Sequence, residues 1–548
     1  MSESPTAIAE KPQSNSVARI GWAILIFATL CVCYFSHLGA IGFVGPDEPR
    51  YAWIARDMTE TGDWVTPRLY GKPWFEKPPL FYWGAAVCFK LFGVSETAAR
   101  LPSAISALLA TLALAWLALR LYGAETARWL LLLLPTTVGM IGFSHAAATD
   151  MPFSGMLIIA MVCAAVVLGL TRDENTPILP RTPWLALILF GFFLGLAVLA
   201  KGPAAIILSG GAVFFWALFT KCWRDGFRLF HPAAIAAFCL TALPWYILCA
   251  RRNPDFFRIF IIEHNFKRFL TPEFQHIHPF WFYVPVIILA VLPWTGSAAR
   301  LKLTTKAPSE PGDWLNSPSL FFGCWVMFPI VFFTLSKSKL PGYILPTIPA
   351  LGLLMAQNVS LCIRGIIPGD RWIRITSGTT FIVLGILGIV QIEGTDLIWP
   401  ALAVATGGFA ILVIRDLRFG LSLGVSALII AIASSLTGNT GAVLDQRYSA
   451  RSAAEAARIV WNNYSPDRSS TYKLTRSFQY GLNFYFHREL PEWTPDGTAP
   501  GWVFALAKDE GELRNRGLTC PFNALRHAVI VCENGGLTIG RSSGGQSK

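Results

Sequence analysis

Apolar residues in this chain gather into long runs separated by short polar stretches. The first run extends from about Ile20 to Leu38. Others lie near 99–120, 128–145, 152–171, 184–200, 203–220, 231–250, 279–299, 318–336, 342–363, 375–391, 398–414 and 419–438. A helix that crosses the hydrocarbon core needs roughly 20 apolar residues, so the pattern predicts 13 spans over residues 18–438. Residues 1–17 are polar and serine-rich, and read as a disordered cytoplasmic tail. No small-residue cleavage site follows the first run, which reads as an uncleaved anchor. From Asn439 the pattern changes. Residues 450–461 are amphipathic, whereas TYKLTRSF, WVFALA and HAVIVCEN read as short strands. Residues 439–548 therefore read as a small α/β domain on the outer face.

One connection breaks the rule that loops between spans are short. Residues 43–98 hold GPDEPRYAWIARDMTETGDWVTPRLYGKPWFEKPPL, with charges of both signs among Tyr51, Trp53, Trp64, Tyr70 and Trp74. Long structured loops in membrane proteins usually carry function. This loop, with its amphipathic helices, is the expected floor of an active site.

Composition agrees with the span pattern. Of the 548 residues, 53% are hydrophobic and 14% charged, against about 25% charged in soluble proteins. The formal net charge of +12 comes without a basic patch on a nucleic-acid-binding fold. Cationic inner loops and anionic lipid head groups account for it. Alternate short loops carry Arg120 with Arg128, Lys221 with Arg224 and Arg228, Arg300 with Lys302 and Lys306, Arg364 with Arg371 and Arg374, and Arg415 with Arg418. By the positive-inside rule these loops and the N-terminus are cytoplasmic, and the C-terminal domain is outside. Most of the 11 cysteines lie in apolar runs and read as small hydrophobes. Cys520 and Cys532 lie in the polar tail, where an oxidising compartment would allow a disulfide.

With that topology, Asp47, Glu76, Lys77, Asp150, Lys201, His264, Arg268, Lys337, Lys339 and Tyr343 all fall on the outer side. Singly, each could be an interfacial anchor; gathered on one side, they suggest a site. Asp47 and Asp150 could take a proton from an attacking hydroxyl or grip a polar substrate, or could cap the helices they begin. Lys77, Lys201, Arg268, Lys337 and Lys339 suit a phosphate or pyrophosphate, although SKSKL could equally bind lipid head groups. Glu76, His264, His276 and His278 are metal-ligand types without the tight spacing that singles out a site.

PDEPRY, FEKPP, the Asp150 turn, AKGP, EHNFKRF, QHIHPFWFYVPV and SKSKLPGYILP occur in the order and spacing of the bacterial aminoarabinose transferases. Over its full length the chain resembles that family, part of the protein-mannosyltransferase-like (GT-C) superfamily. The resemblance implies a mainly α polytopic bundle of about 13 transmembrane helices in the bacterial inner membrane. It also implies an inverting glycosyltransferase that takes 4-amino-4-deoxy-L-arabinose from undecaprenyl phosphate and delivers it to lipid A phosphate at the periplasmic face. Carried over, Asp47 is the principal carboxylate, beside Glu48, and Asp150 the second acid. Arg50 and Tyr51 line the site, and Lys77 and Arg268 hold the carrier phosphate. Lys201, Lys337, Lys339 and Tyr343 complete the cavity. A zinc ion on Glu76 and His264 is an option within the family, not a requirement read from residue types. Related transferases move galacturonic acid, mannose or another hexose to lipopolysaccharide core, other glycans or protein, and no residue pattern separates these. A lipid or solute transporter is the rival from another class. Transporters carry charged sites at mid-membrane on repeated, broken helices, which this sequence lacks.

Overall fold

A computed structural model describes residues 16–171, 183–260, 263, 278–299, 301, 318–390, 395–460, 464–494, 497, 500–520 and 528–534. It is mainly helical. The first half comprises α1 (Ser16–Phe35), α2 (Asp47–Thr61), α3 (Leu80–Phe92), α4 (Glu96–Tyr122), α5 (Ala124–Leu133), α6 (Val138–Ser144) and α7 (Asp150–Val167). It continues with α8 (Trp184–Lys201), α9 (Ala204–Thr220), α10 (Trp223–Phe227) and α11 (Pro232–Arg252).

Among the described residues, eight helices are long and apolar enough to cross a membrane, and α5 with α6 forms a ninth, bent by 62°. The shorter apolar helices α9, Phe280–Ala290, Thr347–Ile363 and Ile398–Val413 match the other four predicted runs. The bend in 128–145 falls at Pro135, whose ring and missing N–H break a helix. Spans pack through small residues. Gly385 and Gly408 sit so close to neighbouring helices that an added Cβ would meet backbone atoms at 2.7 Å, as expected where lipid supplies no hydrophobic drive between helices.

The chain direction sorts the loops into two ends. The C-termini of α1, α8, α11 and Pro318–Leu335, and the N-termini of α4, α7 and α9, lie at one end. Arg120, Arg128, Arg415 and Arg418 belong to the other, where Arg128 and Arg418 both pair with Glu125 at 3.8 and 3.3 Å.

The long loop is a compact layer at the first end. α2 stops at Gly62, whose φ of 73° is the left-handed conformation that favours glycine. The strands β1 (Arg68–Leu69) and β2 (Lys72–Pro73) form a hairpin through Tyr70 and Gly71, both at positive φ, as a tight two-residue turn demands. Tyr51, Trp53, Ile54, Phe81, Tyr82 and Phe89 bury the faces of α2 and α3 against each other.

The C-terminal unit has strands β3 (Ser469–Tyr472), β4 (Trp502–Leu506), β5 (Leu518–Thr519) and β6 (Val529–Asn534), ordered β3-β4-β6-β5. β3 and β4 are parallel; the other pairs are antiparallel. Helices Arg451–Val460 and Arg476–Phe486 cover the sheet with Ala453, Ala457, Leu482 and Phe486. The second helix is a correction, because TYKLTRSF reads as a strand throughout, whereas only its beginning is one. Cys520 and Cys532 form a disulfide.

Candidate active site

α2 begins with Asp47 because Pro46 precedes it and acids suit the positive end of a helix. The residues at the N-cap positions of α2 and α7, Pro46 and Thr149, make no side-chain cap, and Asp47 and Asp150 are the first helical residues after them. Asp47 pairs with Arg50, one turn on, and its side chain is 54% exposed. The same guanidinium reaches Glu76 Oε2 at 3.2 Å, and Lys77 Nζ lies 3.4 Å from Glu76 Oε1. PDEPRY and FEKPP thus meet through one arginine, Arg50 reaching Glu76 26 residues further along the chain. Arg50 is sandwiched by Trp74 at 5.6 Å and Tyr480 of the C-terminal unit at 5.4 Å. Burial works against its charge, but Glu76 and Asp47 outweigh it and hold its pKa above the usual value. Tyr51 is buried against Phe81 and Tyr82. Burial first, then Glu76 and Asp47, push its phenol well up, so it stays neutral.

A second group forms around Asp150, the first residue of α7. Lys201, the last residue of α8, reaches Asp150 Oδ1 at 2.5 Å. The ammonium lies 5.2 Å from the Tyr343 ring and 5.6 Å from Phe153. Gly342 lets the Tyr343 turn approach, since a Cβ there would stand 2.5 Å from Asp150 Oδ1. Of the SKSK lysines, Lys337 is exposed. Lys339 is buried and donates to the Ser336 carbonyl at 2.7 Å; it folds into its own turn.

The two groups are tied together. Glu48, next to Asp47, accepts from Ala147 N at 2.7 Å, three residues before Asp150. It also accepts from Val44 N and forms a bidentate pair with Arg100 at 2.9 and 2.8 Å. These contacts engage both oxygens of Glu48, which the PDEPRY motif places among the candidate carboxylates beside Asp47. Consecutive helical residues point about 100° apart, so Glu48 faces inward while Asp47 faces out, and its oxygens are engaged. Arg100, absent from the sequence reading, gives its other N–H groups to Leu38, Ile41 and Gly42 carbonyls at 2.7–3.0 Å. An arginine in the first turn of an apolar run was the available signal. On the other flank, Phe75 packs on Phe256 at 5.3 Å, Phe256 on Tyr246 at 6.0 Å, and Tyr246 donates to Val198 O, one turn before Lys201.

The C-terminal unit closes over this layer. Asn483 donates to Tyr70 Oη at 2.9 Å, Tyr485 to Glu96 at 2.8 Å, and Arg451 reaches the Gly39 and Ala40 carbonyls. Arg268 and His264 lie outside the described residues, as does His276; His278 stacks on Phe282 at 4.2 Å. Glu76 is a suitable carboxylate for a metal, but both its oxygens face cations. Among the described residues no three His, Cys, Asp or Glu side chains gather. The described residues alone do not complete a metal site.

Paired acids and bases over one end of a bundle of apolar helices fit the GT-C class of membrane glycosyltransferases that the sequence resemblance implies. Comparison with known proteins agrees. Residues 21–260 match the dolichyl-phosphate-mannose-protein mannosyltransferase family. The crystal structure of ArnT from Cupriavidus metallidurans bound to undecaprenyl phosphate superposes with a TM-score of 0.74 at 24% identity, covering 96% of this chain and 99% of that one. The undecaprenyl phosphate-alpha-4-amino-4-deoxy-L-arabinose arabinosyl transferase of Serratia proteamaculans is 31% identical over 71% of this chain and 70% of its own length. For the Erwinia tasmaniensis enzyme the identity is 32% over 62% of this chain, an alignment that spans 59% of the relative. The chain belongs to this arabinosyl transferase family.

Proposed function

We propose that this protein is an inverting glycosyltransferase that moves 4-amino-4-deoxy-L-arabinose from undecaprenyl phosphate to a phosphate of lipid A. The reaction takes place at the periplasmic face of the inner membrane, with the N-terminus in the cytoplasm and the C-terminal unit outside. The observation that carries the reading is the pairing of Asp47, Arg50, Glu76 and Lys77 in one cluster, linked through Glu48 to Asp150 and Lys201 at the same bundle end. The names of the relatives supply the donor and the sugar.

The chemistry follows from charge. An acceptor oxygen attacks the anomeric carbon, the bond from that carbon to the carrier's phosphate oxygen breaks, and undecaprenyl phosphate leaves with the electron pair. Lys77 is the proposed cation for that growing charge, and Arg268 the second. Fixed cations in a partly dry site act far more strongly than in water. Arg50, locked between two carboxylates and two rings, does not move to do this; it fixes Asp47 and Glu76. A lipid A phosphate is already anionic and needs no base, so Asp47 binds the amino sugar or orients the acceptor. Asp150 and Lys201 form the second charged pair of the site. Zinc, if held, would take Glu76 and His264 as ligands and add positive charge near the phosphate.

The test is mass spectrometry of lipid A from cells with and without the protein. An added pentosamine supports the reading. An added hexuronate would transfer the same site to a galacturonic acid donor, and unchanged lipid A would refute the acceptor.

A further inference from the structure

The bundle end remote from the two clusters holds a cavity that this reaction does not use. Its volume is about 520 Å³, and it lies between α8, α9 and α11 above the Trp223–Phe230 segment. α9 starts beside Lys201 and runs 17 residues away from it, so its far end is about 25 Å off along the bundle. Glycines explain why the gap exists. Gly191 and Gly195 bring α8 against the backbone of α11 at Ala234 and Phe238, while Gly211 draws α9 toward Phe328 on another span. Gly210, one residue earlier, faces the gap with nothing within 4 Å of where a Cβ would stand. The walls are apolar, among them Phe190, Leu194, Val213, Phe214 and Phe238.

The mouth has a different chemistry. Phe227 and Phe230 line the cavity and are 67% and 69% exposed, an apolar edge. Lys221, Arg224 and Arg228 are not among the lining residues but stand on the same exposed segment, next to the lining residues Trp223, Gly226, Phe227 and Leu229. Asp225 pairs with Arg228 at 2.6 Å. Among the described residues no carboxylate lies within ion-pair distance of Lys221 or Arg224.

We propose that this cavity holds one acyl chain of an anionic phospholipid whose headgroup phosphate sits on Lys221 and Arg224. The apolar walls demand an alkyl chain, and the two cations demand a negative head at the interface. A zwitterionic lipid brings its own amine and satisfies them less. In the function proposed above, on which this step rests, the prenyl carrier's phosphate sits at the other end of the bundle, so its tail could fill the walls but its phosphate could not reach Lys221 and Arg224.

Native mass spectrometry of the full chain tests this after incubation with equal amounts of phosphatidylglycerol and phosphatidylcholine. Phosphatidylglycerol adducts should dominate roughly thirtyfold, the order expected from two cations near a membrane surface. Gly210→Leu should remove the adduct, whereas Gly210→Ala, with one methyl in open space, should keep it. Lys221→Gln with Arg224→Gln, on an exposed turn that leaves the fold intact, should keep lipid but lose the preference. Equal binding of the two lipids by the wild type would overturn the proposal. So would a selective adduct that survives Gly210→Leu, or one-for-one displacement by undecaprenyl phosphate, which would assign the cavity to the carrier's tail.

Discussion

Replacing Glu48 by alanine separates a structural from a catalytic carboxylate at this site. In the wild type, Glu48 accepts four hydrogen bonds, two from Arg100 and one each from Val44 N and Ala147 N. Arg100 is 5% exposed and uses its whole fork on Glu48 and three carbonyls. Removing the carboxylate leaves a buried guanidinium without a counter-charge, at a cost of about 3–5 kcal/mol. At about 1.4 kcal/mol per tenfold, the folded-to-unfolded ratio should fall roughly a hundred- to several-thousand-fold. Removing both partners by Glu48→Met with Arg100→Met should cost much less than the sum of the single changes, because no charge is stranded. Tryptophan fluorescence during thermal unfolding in lipid nanodiscs reads the stability, and transfer is assayed on the same samples. A Glu48→Ala protein that melts like the wild type yet transfers no sugar would refute the reasoning and return Glu48 to the reacting groups.

Other outcomes follow from the same contacts. Gly342→Ala should disturb Asp150 directly, costing about 1–3 kcal/mol from overpacking and most of the transfer activity; unchanged kinetics would show that the close approach is unimportant. Tyr480→Ala should loosen Arg50 and lower kcat while the C-terminal unit stays protease-resistant, and Tyr480→Phe should restore it. Cys520→Ser should destabilise the C-terminal unit by about 3 kcal/mol, from the 12-residue separation closed by the disulfide, as read by limited proteolysis of that unit. Hydrogen bonds from Tyr472, Lys473 and Arg516 pull the Glu512 carboxyl down from 4.5 to about 2. Its contribution is therefore present above about pH 4.5 and lost as pH falls towards 2, and Glu512→Gln should flatten acid unfolding in that window.

The spans were legible because a membrane imposes one length and one composition, so 13 apolar runs became helices or helix pairs at the expected places. The bend in 128–145, a single span by its apolar run, had Pro135 as an available signal that the span pattern leaves unused. Asp47, Lys77, Asp150 and Lys201 were legible as ionisable groups at one end of the apolar runs, an expensive placement without a partner. Their partners were not, because pairing depends on helix rotation. Glu48 and Asp47 are neighbours in sequence and point to different places. Arg100 looked like the polar edge of a span, although it fastens the loop. The helix Arg476–Phe486 carries Phe478, Leu482 and Phe486 at helical spacing. That pattern was readable, but the β-rich residues before it masked the change of period.

The central claim is that Lys77 and Asp47 act on the carrier-linked sugar in one site. Purified wild type, Lys77→Ala and Asp47→Asn should be compared in single-turnover transfer from undecaprenyl-phosphate aminoarabinose to lipid A. The account predicts product from the wild type and essentially none from either variant, with unfolding temperatures close to the wild type. Near-normal transfer by a folded Lys77→Ala or Asp47→Asn protein would contradict it.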